Sequence, residues 1–227
     1  MSVEEKLLKV RERLLKACVR AGRAPESVRL IAVSKKQDVS AVRGAFNAGQ
    51  NLFGENYVQE LVPKAEQLEN LPVEWHFIGP LQSNKVRKII GKVELIHSVD
   101  RESLLQEISR QAELHHLRQK ILIQVNVSGE SSKSGLAPSE VSAFMERAAR
   151  LPGIEVRGLM TMPPLVEATD GNRGYFRSLK KLFDDIQTGS LFELSMGTSQ
   201  DFETAIEEGA TLIRVGTEIF GSRKDEA

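Results

Sequence analysis

Lys35 follows the run Leu30-Ile31-Ala32-Val33-Ser34, whose apolar and small residues suit a buried strand, so the chain delivers a primary amine where that strand ends. Such an amine attacks carbonyl carbon only when neutral, and an ordinary lysine, with a pKa of about 10.4, is neutral in roughly one molecule in 2,500 at pH 7. Partial burial and the adjacent Lys36 would lower that pKa, whereas a bound phosphate would raise it. Two later segments offer a phosphate a seat: Ser195-Met196-Gly197-Thr198-Ser199 and Arg214-Val215-Gly216-Thr217 bring hydroxyls and glycines together ahead of helical patterns. An amine facing a phosphate suits a phosphorylated aldehyde that condenses with Lys35 into a Schiff base. Taken singly, each segment reads equally well as a strand-to-helix turn, with Thr198 or Ser199 capping a helix near Asp201 and Arg214 in a surface ion pair.

The elements that must bring these residues together alternate regularly. Short β-branched apolar runs predict strands near Val28 to Ser34, Asn51 to Gly54, Val73 to Gly79, Val93 to Ser98, Lys120 to Val127, Glu155 to Met160, Phe192 to Met196 and Thr211 to Val215. Amphipathic runs predict helices between them, near Ser40 to Ala48, Tyr57 to Leu68, Ser83 to Ile90, Arg101 to His115, Pro138 to Ala149, Tyr175 to Ile186 and Asp201 to Glu207. Ahead of all these, Ser2 and Glu5 have capping-box spacing, and Val3, Leu7, Val10, Leu14 and Cys18 recur at helical intervals until Gly22 and Pro25. Eight strands separated by single helices predict the α/β class and a single (β/α)8 TIM barrel with an extra N-terminal helix, an open doubly wound sheet being the alternative. No linker divides the chain, so one domain over residues 1–227 is expected, its longest irregular stretch running from Pro163 to Gly174.

In a barrel, the residues that follow each strand share one rim. The rim would then gather Lys35 and Lys36, Gly54-Glu55-Asn56-Tyr57, Gly79 to Lys85, Asn126, the loop Ser131 to Gly135, Met160-Thr161-Met162 and the two glycine-hydroxyl segments. The histidines, His76, His97, His115 and His116, lack metal-ligand spacing with paired carboxylates, so structural or surface roles and no metal are expected. Trp75 and Phe77 read as packing residues, and the charges at Arg101, Glu102, Glu107 and Arg110 as a solvated helix face.

Charge balances at 31 basic and 31 acidic residues, so no global field favours a nucleic-acid backbone or an anionic membrane, and neither partner is expected. The only cysteine, Cys18, excludes an intrachain disulfide and a cysteine-based zinc site. The charged N-terminus does not read as a signal peptide, and no apolar run approaches the roughly 20 residues of a membrane span. A cytoplasmic protein is expected, and with no coiled-coil pattern or long exposed apolar stripe, a monomer.

Several strings are familiar. Ala32-Val33-Ser34-Lys35, Phe53-Gly54-Glu55-Asn56-Tyr57-Val58-Gln59-Glu60 and the run from Glu74 to Lys85 resemble the pyridoxal phosphate homeostasis proteins. Ser132-Lys133-Ser134-Gly135, Arg157-Gly158-Leu159-Met160, Leu194-Ser195-Met196-Gly197 and Arg214 to Gly221 continue the resemblance in the same order. It implies a barrel similar to the N-terminal domain of bacterial alanine racemases, carrying pyridoxal 5′-phosphate as a Schiff base on Lys35. It also implies that Arg214 approaches the pyridine nitrogen, that Ser199, Gly216 and Thr217 hold the phosphate, and that Asn56 lies beside the ring. An arginine at that nitrogen keeps it unprotonated and weakens the electron sink on which most reactions of this cofactor rely. Lys36 departs from a frequent threonine, and Thr198 and Gln200 from a segment that often reads Met and Asp; Lys36 is expected on the opposite face of the strand from Lys35.

The resemblance implies a carrier that maintains intracellular vitamin B6 and amino-acid homeostasis without a dedicated catalytic turnover, with apo-enzymes that use the cofactor as recipients. A racemase or lyase of low activity is the alternative, with Lys35 on one face of the substrate and Tyr57 or His76 on the other. A Schiff-base aldolase acting on a phosphorylated sugar also fits the amine and the glycine-hydroxyl segments, though not the long strings.

Overall fold

Strands buried on both faces need apolar residues at nearly every position, and the eight β-branched runs meet that need by closing on one another. The computed structural model describes residues 1–164, 170–186 and 191–221. Its strands are β1 (Arg29–Val33), β2 (Leu52–Glu55), β3 (Glu74–Phe77), β4 (Leu95–Val99), β5 (Gln119–Gln124), β6 (Ile154–Met160), β7 (Glu193–Thr198) and β8 (Leu212–Val215). All run parallel in chain order, and β8 pairs back onto β1 with Ala32 opposite Val215, so the sheet is a closed barrel and the open-sheet alternative falls. Inside, Ile31, Leu52, Leu95, Leu122, Met160 and Leu212 form their own buried cluster. Outward residues such as Ala32, Phe53, Phe77, Ile96, Ile121 and Ile213 join the helices in the larger core. Trp75 and Phe77 are buried there, with the Trp75 ring centroid 5.8 Å from that of Phe53.

The outer layer comprises α1 (Val3–Arg20), α2 (Val39–Asn47), α3 (Val58–Gln67), α4 (Glu102–Leu114), α5 (Val141–Ala149), α6 (Arg173–Asp185), α7 (Phe202–Glu207) and α8 (Thr217–Phe220). The predicted capping box is present on α1: Ser2 Oγ accepts from the Glu5 amide at 3.1 Å, and the Glu5 carboxylate accepts from the Ser2 amide at 2.9 Å. The helix after β8 has only four residues, too few to cover β8 and β1. The N-terminal helix fills that gap, packing Leu7, Val10, Leu14, Ala17 and Cys18 inward against α2, α7 and α8. Arg13 fastens it from outside through Glu203 and Glu218.

Two helical expectations change in detail. The segment predicted as a helix over Ser83 to Ile90 is a 3-10 segment, Ser83–Lys88, because only two turns fit between Pro80 and the left-handed Gly91 at φ 76°. Pro138–Glu140 is likewise a 3-10 turn, and α5 starts after it. Part of the irregular stretch from Pro163 to Gly174 lies outside the described residues. Among the described residues no helix is long and apolar enough to cross a membrane.

Candidate functional site

The C-terminal ends of the strands converge on one rim, and β1 reaches it with Ser34 buried, Lys35 half-buried and Lys36 exposed. A buried network fixes this exit. Ser34 Oγ donates to Glu55 Oε1 at 2.7 Å, and Lys64 Nζ donates to Ser34 O at 2.8 Å and to Glu55 Oε1 at 2.6 Å. Glu60 joins from the outer side, accepting from Lys64 at 3.2 Å and from the Lys36 amide at 2.6 Å. Burial pushes the Glu55 carboxyl upward and Lys64 opposes that shift. Lys36 takes φ 60° in the turn beyond the strand, so it departs from Lys35 because the backbone turns and not, as the alternation argument supposed, because it faces the other side of β1.

The ends of β7 and β8 lie beside this exit through barrel closure. Ile31 is paired with Arg214, and a Cβ on Gly216 would come within 3.1 Å of Val33 O, so glycine lets β1 and the β8 loop approach closely without displacing either. Neither Ser199 nor Thr198 caps α7. Ser199 Oγ instead accepts from the Gly216 amide at 3.2 Å, and Asp201 takes the Thr198 amide at 2.7 Å and its hydroxyl at 3.0 Å. Thr217 stands exposed next to Gly216. The glycine-hydroxyl segments thus meet as one cradle at the mouth beside Lys35.

Asn56 completes the rim from β2. Gly79 permits its position, because a Cβ there would sit 2.2 Å from Asn56 O. Asn56 Oδ1 is buried without a hydrogen-bond partner among the described residues, as is Glu55 Oε2. A buried, unsatisfied acceptor at a rim is an invitation to a ligand hydroxyl or N–H. Tyr57 is exposed at the start of α3.

Arg214 is buried instead of forming the surface ion pair considered from the sequence. Its guanidinium donates to Ser195 Oγ, to Thr161 O at 2.9 Å and to Met162 Sδ at 2.9 Å. Two of its N–H groups, Nε and one on Nη1, donate to nothing among the described residues, which fits a ligand acceptor above them. Burial lowers its pKa to about 10. The donor set therefore fits a phosphorylated heteroaromatic aldehyde: an amine at Lys35, a hydroxyl-amide cradle at Ser199 and Gly216, spare guanidinium donors, and an orphaned amide oxygen.

Other residues expected at the rim do different work. Asn126 spends its side chain on its own loop, donating to Glu130 O at 2.9 Å and Lys133 O at 3.2 Å. His76 is fully buried inside the barrel, 3.0 Å from Glu74 at the first position of β3, so it is not a rim group and cannot face a substrate opposite Lys35. Lys64 was missed by sequence reasoning, yet it follows Val58 and Leu61 at three-residue steps on the buried face of α3, where a lysine signals a buried partner. Among the described residues no group of three or more His, Cys, Asp or Glu could hold a metal ion.

Comparison with known proteins places this chain in a family. The alanine racemase N-terminal domain family matches residues 12–224. The chain is 47% identical over 227 residues to the pyridoxal phosphate homeostasis protein of Aquifex aeolicus, covering 99% of this chain and 100% of that one. It is 45% identical over 222 residues to the protein of the same name from Pseudomonas aeruginosa, covering 98% and 96%. PipY of Synechococcus elongatus, solved with PLP bound, is 36% identical with a TM-score of 0.84, covering 97% of this chain and 100% of that one. Alanine racemase from Corynebacterium glutamicum shares the fold at 16% identity and a TM-score of 0.66, covering 94% of this chain and 61% of its own. The chain belongs to the alanine racemase N-terminal domain family and, within it, to the pyridoxal phosphate homeostasis proteins.

Proposed function

We propose that this protein binds pyridoxal 5′-phosphate as a Schiff base on Lys35 and serves vitamin B6 and amino-acid homeostasis as a cytoplasmic, monomeric, single-domain carrier without a dedicated turnover. The observation that carries this reading is the meeting of the β1 exit with the Ser199–Gly216 cradle, in a chain related over its whole length to proteins of that name. Lys35 supplies the nitrogen that joins the aldehyde carbon, with one water leaving. Ser199, Gly216 and Thr217 hold the phosphate, and Asn56 Oδ1 lies at the ring edge. Bound in this way, the cofactor would supply an electrophilic carbon-nitrogen double bond and an electron-withdrawing ring. Arg214, a cation that gives up a proton reluctantly even at a pKa of about 10, donates to the pyridine nitrogen and keeps it unprotonated. That arrangement favours retention over α-carbon chemistry, and recipient apo-enzymes are the partners that a carrier needs.

The racemase or lyase alternative now rests on Tyr57 alone as the group opposite Lys35, because His76 is enclosed in the barrel. The experiment is incubation of the loaded protein with single amino acids in heavy water, following α-proton exchange and chirality. Exchange no faster than with free cofactor is the expected outcome, and rapid, stereochemically defined exchange would refute the carrier reading.

A further inference from the structure

Beneath the rim, a column of hydrogen bonds crosses the barrel interior from one mouth to the other. At the mouth formed by the strand N-termini, Glu74 Oε1 lies 3.0 Å from His76 Nε2. His76 Nδ1 lies 3.0 Å from His97 Nε2, and His97 Nδ1 lies 2.9 Å from Ser195 Oγ, which accepts from Arg214. His76, His97 and Ser195 are each fully buried, and the links come from β3, β4, β7 and β8 in turn. A cavity of about 160 Å³ at the lower mouth, lined by Arg29, Glu74, His76, Lys120 and Glu193 among others, opens on the end of the column.

With Ser195 giving its one hydroxyl hydrogen to a partner and both histidines neutral, the donors and acceptors run in a single direction. Arginine donates and never accepts, so Ser195 Oγ is an acceptor toward Arg214. The remaining partner of Ser195 among the described residues is His97 Nδ1, which therefore receives the hydroxyl hydrogen. Burial, aided by the charges of Arg214 and Arg29, holds His97 well below the usual histidine range, so it is neutral, and with Nδ1 accepting from Ser195 its single hydrogen is on Nε2. That hydrogen goes to His76 Nδ1. His76, also held low by burial against the opposing pull of Glu74 and Glu193, carries its hydrogen on Nε2 and gives it to Glu74. Every bond is polarised in the same sense, from a buried cation to a carboxylate at the far mouth.

This arrangement answers a problem that Arg214 poses. It is a buried guanidinium with no carboxylate in ion-pair contact among the described residues, Asp201 acting on it only at longer range; its hydrogen-bond partners are a hydroxyl, a carbonyl and a thioether. Unpaired buried charge is costly, and a chain of aligned dipoles ending on an anion is a means of compensation. We propose that Glu74, His76, His97 and Ser195 are positioning residues: an oriented hydrogen-bond column that compensates Arg214 through the barrel and fixes which of its N–H groups face the cofactor's pyridine nitrogen. The orientation of the column stands on the hydrogen bonds and on the burial that keeps both histidines neutral; its effect on the ring rests on the reading of the site given above.

Two measurements test the two halves separately. In the protein without cofactor, nitrogen-15 NMR of the histidine side chains should report His76 and His97 as neutral Nε2–H tautomers throughout the neutral pH range. A proton on His97 Nδ1, or a charged His97, would overturn the column. In the protein loaded with pyridoxal phosphate, Glu74→Gln keeps side-chain volume but replaces a carboxylate with an amide that donates as well as accepts, so the fixed direction is lost. This change, at the mouth opposite the cofactor, should weaken pyridoxal phosphate binding by the order of tenfold and shift the visible absorption band of the bound cofactor. Glu193→Gln is the control, because it removes the other Arg29 carboxylate, which makes no hydrogen bond to the column and acts on His76 only at a distance, and it should leave both readouts close to wild type. Ser195→Ala should reproduce the Glu74→Gln spectrum and release the tautomer preference of His97. Equal spectra and affinities for Glu74→Gln and Glu193→Gln would overturn the positioning role. Wild-type protein that binds no pyridoxal phosphate would instead refute the site reading and the ring-facing half, while the cofactor-free tautomers still decide the column.

Discussion

Lys64→Met removes the cation behind the β1 exit while keeping an unbranched stem of similar reach. The side chains of Lys64 and Glu55 are 7% and 0% exposed, so the substitution leaves a fully enclosed carboxylate that keeps the Ser34 Oγ donor but loses its cation, and Ser34 O without its lysine. Removing one partner of a buried pair costs about 3–5 kcal/mol. Glu55 can limit that cost by taking up a proton, since burial already raises its pKa and the opposing influence of Lys64 would be gone. A folded-state pKa above the unfolded value means that the folded state binds the extra proton, so stability is gained as pH falls and lost as it rises through the folded pKa. The destabilisation should therefore be largest in mild alkali and shrink at up to about 1.4 kcal/mol per pH unit toward acid, until Glu55 is protonated in both states. Urea unfolding at two pH values measures it, and Glu55→Gln combined with Lys64→Met should recover most of the loss because no buried charge remains. A cost below about 1 kcal/mol, or one independent of pH, would refute the view that this network is a closely coupled ion pair.

Other consequences follow from the same geometry. Gly197 has φ 91°, and a Cβ there would lie 2.5 Å from that of Ala205 and 2.9 Å from Phe202 Cα, so Gly197→Ala should cost about 2–4 kcal/mol and displace α7 from the cradle; thermal unfolding within a degree of wild type would contradict this. His76 and His97 are held by burial below the ordinary histidine value of about 6.5, so the unfolded chain takes up protons first, and stability is complete above that value and declines as pH falls below it. Each should contribute a slope of up to about 1.4 kcal/mol per pH unit to denaturant-derived stability between mildly acidic and neutral pH. A flat profile there would show that at least one is charged in the folded protein.

The barrel was legible because parallel strands buried on both faces leave continuous apolar runs, and because turn residues such as Gly22 and Gly91 punctuate them. Lys35, Ser199 and Gly216 were legible for a related reason: a barrel sends whatever follows its strands to one rim. The interior was not. His76 and His97 look unremarkable one at a time, since what joins them is the register between the neighbouring strands β3 and β4, which pattern alone does not supply. Lys64 was hidden differently, as one lysine among 31 basic residues, and only its phase on α3 marked it. Likewise, that Ser199 turns to the Gly216 amide instead of capping α7 depends on Asp201 having taken the Thr198 donors, a local competition that composition does not resolve.

The most direct measurement is borohydride reduction of the protein incubated with pyridoxal 5′-phosphate, followed by peptide mass mapping. If the amine beside the Ser199–Gly216 cradle is the attachment point, one pyridoxyl group is fixed on Lys35 and the visible absorption band disappears as it forms. A label on Lys36 or Lys64, or none on the protein, would contradict the account.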